Sequence, residues 1–126
     1  QGPLAGLVAG FERVQTALAF ATSCDSPLLA PALVSYLAGL AGEADIVCPE
    51  VGGRRQPLAA IYRPASCLPA FRRSVESGRL RIIDGFEGLR VQMVAERELV
   101  DVDQRLLSFE NANTPERLAE IDRLVG

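Results

Sequence analysis

Apolar positions along the chain fall into short blocks whose spacing alternates between helical and strand-like. Residues 2–14, GPLAGLVAGFERV, place apolar side chains around a small-residue segment, which predicts a helix packed closely on a sheet. TALAFATSCD, residues 16–25, is an apolar run ending in a polar turn, the pattern of a buried strand in an α/β sheet. Ser26 then suits an N-cap with Pro27 at the first helical position, and LLAPALVSYLAGLAG continues as a helix to Gly42. ADIVCP, residues 44–49, is a second short strand. EVGGRR turns the chain through Gly52 and Gly53, and PLAAIYR, residues 57–63, returns as a strand, so 44–63 predicts a hairpin. Pro64 opens a helix through CLPAFRRSVESG, with Gly78 as its C′ stop. RLRIIDGF predicts a short helix, GLRVQMVA a strand, and LVDVD to SFENAN an irregular stretch. A last helix is expected from near Thr114.

Strands alternating with helices, plus one hairpin, predict a three-layer α/β domain over a mixed sheet. In such sheets ligands sit beyond the carboxyl ends of the parallel strands, which directs attention to residues just after each strand. No internal repeat, low-complexity segment or linker interrupts the 126 residues, a length that suits one compact domain. The apolar stretches are too short and interrupted to cross a bilayer, and no basic segment followed by an apolar one opens the chain as a signal peptide would. The start at Gln1 rather than Met allows for a missing N-terminal part.

Composition narrows the chemistry. Three cysteines, Cys24, Cys48 and Cys67, are widely spaced, and there is no histidine, which argues against a disulfide framework and a zinc site. Reduced, buried thiols of a cytoplasmic protein are expected. The net charge of −3 with no basic run argues against nucleic acid as a partner. Without histidine, acid–base or nucleophile chemistry based on it is excluded. All thirteen basic residues are arginine, so any cationic side chain on a phosphate must be an arginine.

Asp25 directly follows the first clear strand and precedes the Ser-Pro helix start. A carboxylate there can hold Mg²⁺, which needs one or two carboxylates and completes its shell with phosphate oxygens and water. A plainer role, favourable charge at a helix N-terminus, has about even weight. Gly2 and Gly6 in GPLAG allow close backbone approach, although glycines mostly serve turns and packing. Gln56 sits at the mouth of a strand beside Arg54 and Arg55, where an anion or heterocycle fits, against the more ordinary reading of a solvated hairpin end. Arg79 and Arg81 stand just past a glycine helix stop, where exposed arginines usually have no special role. Near the C-terminus, FENANTPERL holds Asn111 and Asn113. Either Asn113 caps the last helix with Glu116 three residues on, or Thr114 caps it with Pro115 at the first position. In an extended segment Asn111 and Asn113 face the same way, so capping explains one asparagine and not the pair.

Taken in order, GPLAG, a strand ending CDSP, the GGRRQPLAAIYR hairpin and NANTPE resemble the molybdenum cofactor guanylyltransferases (the molybdopterin-guanine dinucleotide biosynthesis protein A family) along the whole chain. The resemblance implies a Rossmann-like nucleotidyltransferase fold of the glycosyltransferase-A type, with a mixed, mainly parallel sheet and one domain over residues 1–126. It implies Mg²⁺-dependent transfer of GMP from GTP to the phosphate of molybdenum-molybdopterin, releasing pyrophosphate. Asp25 would be the catalytic, metal-holding and nucleotide-contacting aspartate. Gly2, Gly6, Asn111, Asn113 and Arg81 match positions on the pterin side, and Gln56 with Pro57 matches the hairpin motif. Molybdoenzyme chaperones or other cofactor-biosynthesis proteins are the implied protein partners. The family's N-terminal strand and glycine-rich loop, LAGGxSxRMGxDK, has no counterpart here, so the 126 residues alone are expected to be inactive and to bind GTP poorly. A cytidylyl- or sugar-nucleotidyltransferase of the same fold, or a non-catalytic α/β binding module, are the alternatives.

Overall fold

The computed structural model describes residues 2–23, 31–100 and 116–121. Its elements in chain order are α1 (Pro3–Phe11), β1 (Leu18–Ser23), α2 (Pro31–Gly39), β2 (Ile46–Val51), β3 (Arg54–Arg55), β4 (Ala59–Tyr62), α3 (Pro64–Glu76), a 3-10 turn (Ile82–Phe86), β5 (Val91–Val94), α4 (Glu96–Val100) and β6 (Glu116–Ile121).

The strands form one mixed sheet. β4 is antiparallel to both β1 and β2, while β5 lies parallel to β2. Ile46 and Val47 pair with β4 and with β5, so those two strands occupy opposite edges of β2. β1, β2 and β5 therefore run the same way, with β4 between the first two and opposed to them. β6 closes the far side of β1 as an antiparallel neighbour, from Leu18↔Ile121 to Ser23↔Glu116. The mixed sheet follows the expected fold class, but adjacent pairs among the described strands are mostly antiparallel. The hairpin return inserts β4 between strands that would otherwise be parallel neighbours.

Period-two alternation sorts the strand residues onto two faces. Ala21, Ile46, Cys48, Ala60 and Tyr62 pack against Leu4, Leu7 and Phe11 of α1, Cys67, Ala70 and Phe71 of α3, and Ile82 and Phe86 of the 3-10 turn. Leu18, Phe20, Val47, Ala59 and Ile61 pack on the other face against Leu33, Leu37 and Ala38 of α2 and Leu99 of α4. That is the three-layer arrangement. Short helices are marginal alone in water, so these two apolar contacts hold α1 and α2 in place.

Two turns depend on left-handed backbone. Gly52 and Gly53, at φ +60° and +76°, make the two-residue link from β2 to β3, a conformation glycine adopts without a steric penalty. Gly78, at φ +84°, ends α3. Its N–H donates to the Val75 carbonyl at 2.9 Å and the Arg79 N–H to the Ser74 carbonyl at 3.0 Å, the paired bonds of a Schellman stop.

The expected final helix is corrected by the structure: residues 116–121 form β6. β1 is satisfied on one edge by β4 and offers a full row of N–H and C=O groups on the other. A cooperative ladder over six register partners outweighs the local helix preference of ERLAEI. A helix starting after Asn113 or Thr114, which either residue would have capped, is therefore absent.

Candidate functional site

The carboxyl ends of the three co-directional strands are Ser23, Val51 and Val94. Antiparallel connection brings the start of α1, the β2–β3 hairpin and the exit from α3 to the same end of the sheet.

Gly2 is the residue before α1, in extended conformation. A β-carbon built on it would lie 2.6 Å from the Leu80 carbonyl oxygen and 2.7 Å from the Leu80 Cβ, and the Leu4 N–H donates to that same carbonyl at 3.1 Å. The close backbone approach expected at Gly2 thus exists, and its partner is the chain leaving α3. Arg81 follows Leu80 immediately, so Gly2 and Arg81 share one corner. Gly6 lies on the exposed side of α1.

Arg81 heads the 3-10 turn. Its N–H donates to the Asp84 carboxylate at 3.3 Å and its carbonyl accepts from the Asp84 N–H at 3.0 Å, which leaves the exposed guanidinium to solvent or ligand. Arg79 instead pairs with Glu87 at 2.7 Å. That ion pair raises the Arg79 pKa.

Gln56 braces the hairpin from inside. Its backbone N–H donates to the Pro49 carbonyl at 2.9 Å, and its side-chain amide donates to the carbonyls of Arg54 at 3.1 Å and Val51 at 3.5 Å. The next residue, Pro57, accepts a hydrogen bond of 2.7 Å from the buried Tyr62 hydroxyl. Gln56 and Pro57 therefore hold the shape of the rim.

Sequence reasoning missed the seat of Arg55. Its guanidinium carbon stands 6.0 Å from the centroid of Phe86, in the turn that Arg81 begins. Phe86 is far along the chain from the hairpin, and no local pattern links the two.

Asp25, Asn111 and Asn113 lie outside the described residues. The nearest described positions are informative, because Ser23, two residues before Asp25, is the register partner of Glu116, three residues after Asn113. Among the described residues no three histidine, cysteine, aspartate or glutamate side chains stand together as a metal cage. A groove of about 410 Å³ lies at the opposite end of the sheet, between the end of α1 and the start of α3, lined by Phe11, Glu12, Thr16, Pro64, Leu68 and Arg72 among others. None of Gly2, Gly6, Gln56 or Arg81 lines it. Among the described residues no helix is long and apolar enough to cross a membrane.

Residues 1–92 match the family model described as a MobA-like NTP transferase domain. A molybdenum cofactor guanylyltransferase of Desulfosudis oleivorans is 33% identical over 126 residues, covering 99% of this chain and 62% of that protein. A probable molybdenum cofactor guanylyltransferase of Natronomonas pharaonis is 35% identical over 118 residues, covering 94% of this chain and 58% of the relative. In structure, the chain superposes on the molybdopterin-guanine dinucleotide biosynthesis protein A of Archaeoglobus fulgidus with a TM-score of 0.74 and 26% identity. That match covers 90% of this chain and 57% of the other. The chain thus spans less than two thirds of the length of these relatives.

Proposed function

The chain belongs to the MobA-like NTP transferase domain family, and on that premise we propose that it is the acceptor-side portion of a molybdenum cofactor guanylyltransferase. The reaction joins GMP from GTP to the phosphate of molybdenum-molybdopterin. An acceptor phosphate oxygen attacks the α-phosphorus of GTP, a new P–O–P link forms, the bond to the β-phosphate bridge breaks, and pyrophosphate leaves with the electron pair. Attack by one phosphate on another needs charge neutralisation and in-line positioning more than an acid or base, which suits a chain without histidine.

The observation that carries the reading is the pairing of Ser23 with Glu116. It ties together at one sheet end the two strand termini from which the CDSP and NANTP segments continue. In this proposal Asp25 contacts the nucleotide and holds Mg²⁺ together with phosphate oxygens. The ion, when bound, neutralises charge on the phosphates. Asn111 and Asn113 offer amide donors and acceptors to a neutral pterin. Gly2, packed on Leu80, and Gly6 belong to the pterin side by resemblance, Arg81 supplies a cation, and Gln56 keeps the hairpin rim in shape. GTP and molybdenum-molybdopterin are the substrates, the site of action is the cytoplasm, and molybdoenzyme chaperones or other cofactor-biosynthesis proteins receive the product. The 126 residues hold no lysine and no glycine-rich phosphate loop, so in this proposal they do not turn over by themselves.

The test is guanylyl transfer by the full-length protein with saturating GTP, Mg²⁺ and cofactor, comparing wild type with Asp25→Ala and checking folding by circular dichroism. Abolished transfer in a folded variant is expected, and near-normal turnover would reduce Asp25 to a helix-end charge. Running CTP and sugar 1-phosphates in parallel separates the cytidylyl- and sugar-nucleotidyl alternatives. A folded wild type that transfers a nucleotidyl group from neither GTP nor CTP to any of these acceptors would support the non-catalytic binding module.

A further inference from the structure

We propose that Arg55 receives the anionic phosphate of the acceptor, an assignment that rests on the guanylyl-transfer reading above. The described arginines fall into distinct environments. Arg72, Arg79 and Arg90 are engaged by Glu12, Glu87 and Glu43. Arg63 is spent on backbone, donating to the carbonyls of Ala44 at 3.1 Å and Gly42 at 2.8 Å. Arg55 has no ion pair among the described residues, yet it is the one placed over an aromatic ring.

That ring is a fixed support. Phe86 is 5% exposed and meets Tyr62 edge-on, with centroids 6.2 Å apart. Tyr62 packs in turn against Phe11 and Phe71 at 5.6 and 5.9 Å, and its hydroxyl is tied to Pro57 two residues beyond Arg55. An exposed arginine ordinarily spends rotamer entropy when it grips a ligand. Here the ring quadrupole holds the guanidinium from one side, so less ordering remains to be done on binding. The N–H edge stays available, and a guanidinium fork matches phosphate oxygens in geometry and charge.

Position agrees with chemistry. Arg55 sits on β3 beside Gln56, and its ring partner belongs to the turn headed by Arg81, at the corner where Gly2 meets Leu80. Glu50 is its cross-strand partner and forms no ion pair with it among the described contacts. A carboxylate placed there lowers the local attraction for an anion, which gives the assignment a second handle.

Steady-state kinetics of the full-length protein provide the first arm. Arg55→Gln should raise the KM for molybdenum-molybdopterin about tenfold or more and leave the KM for GTP unchanged, the loss expected for a charge-assisted bond. Arg55→Lys should fall between, because it keeps the charge and loses the planar fork. Glu50→Gln should lower the acceptor KM. An acceptor KM within about twofold of wild type in Arg55→Gln, or equal rises for both substrates, overturns the proposal. The second arm needs no turnover: inorganic phosphate is titrated while the arginine Nε–H signals are followed by NMR, with Arg55→Gln identifying the signal. A shift at Arg55 alongside a wild type that transfers no guanylyl group would overturn the guanylyl-transfer reading and leave an anion site with another substrate. No shift at Arg55 overturns the site itself.

Discussion

Gly2 and Leu80 stand so close that neither the helix start nor the strand-bound segment has room for one more carbon between them. The nearest atoms to a β-carbon on Gly2 are Leu80 backbone and Cβ, groups that cannot swing aside as a side-chain tip can. Gly2→Ala must therefore push residues 80 and 81 away from α1. Overpacking of this kind costs about 1–3 kcal/mol. Thermal melts should show the loss, together with weaker acceptor use through the displaced Arg81. An unchanged melting temperature would mean that the 80–81 segment gives way easily and does not fix the corner.

Tyr62 is fully buried beneath the rim, and its hydroxyl donates to the Pro57 carbonyl at 2.7 Å. Tyr62→Phe keeps the ring in its aromatic cluster and removes only the donor. The expected cost is about 1–2 kcal/mol, since the half-buried Pro57 carbonyl loses the partner that the buried Tyr62 hydroxyl supplies. Urea unfolding should show a lower midpoint with the same slope. A midpoint equal to wild type would show that water replaces the hydroxyl.

Asp45 gives a pH signature. Burial pushes its carboxyl up, but the hydrogen bond from the Arg90 N–H, the Ser66 hydroxyl and the charges of Arg90 and Arg63 outweigh it, and its pKa is lowered overall. A depressed folded pKa stabilises the fold above the ordinary aspartate value of about 3.9, and that stabilisation is lost as pH falls through the lower folded value. Wild type and Asp45→Asn should thus differ in stability at pH 6 and converge in strong acid. A stability difference that stays constant down to pH 2 would remove the carboxylate from the account.

Cys48 and Cys67 are completely buried, and burial pushes their thiols up to about 11 and about 12. Both are effectively protonated at pH 8, and alkylation requires the thiolate. Intact mass after iodoacetamide treatment should show neither site labelled in the folded protein and both labelled in denaturant. Cys24 lies outside the described residues and serves as the third, separately mapped site. Rapid labelling of Cys48 in the native state would show that the sheet opens at β2.

Much of the fold was legible because its signals are local. The apolar blocks within 2–14, 16–25, 44–49 and 57–63, Pro64 at a helix start, and Gly78 beyond its end each declare an element within a few residues. Strand direction was not legible in the same way. Whether β1 lies beside a parallel or an antiparallel neighbour depends on which distant segment reaches its edge, and both β4 and β6 arrive reversed. The last element shows the same limit, since ERLAEI reads as a helix until the open edge of β1 is known. Among the candidate positions, Gly2, Gln56 and Arg81 stood out because they directly precede or follow elements. The seat of Arg55 on Phe86 was not, because it joins a hairpin to a turn beyond α3.

The pairing of β6 with β1 makes the last prediction, and its sign separates strand from helix. Ala119 faces Phe20 in the register, within a ladder that runs from Leu18↔Ile121 to Ser23↔Glu116. Alanine is the best helix former and is depleted in strands, whereas valine reverses both preferences. If 116–121 were helical, Ala119→Val would destabilise by about 0.5 kcal/mol. In the strand it should be neutral or stabilising by up to about 1 kcal/mol. Cross-strand NOEs between residues 20 and 119, with slow amide exchange at alternate positions of 116–121, should accompany that result. Alternate N–H groups of the edge strand face β1, so of Leu118→Pro and Ala119→Pro one removes a ladder donor. That one should release the Ser23 end, lowering guanylyl transfer in the full-length protein if the CDSP and NANTP segments must stay together. Loss of the NOEs without loss of transfer would detach the strand pairing from the function; helical NOEs along 116–121 would return the segment to the reading its sequence first suggests.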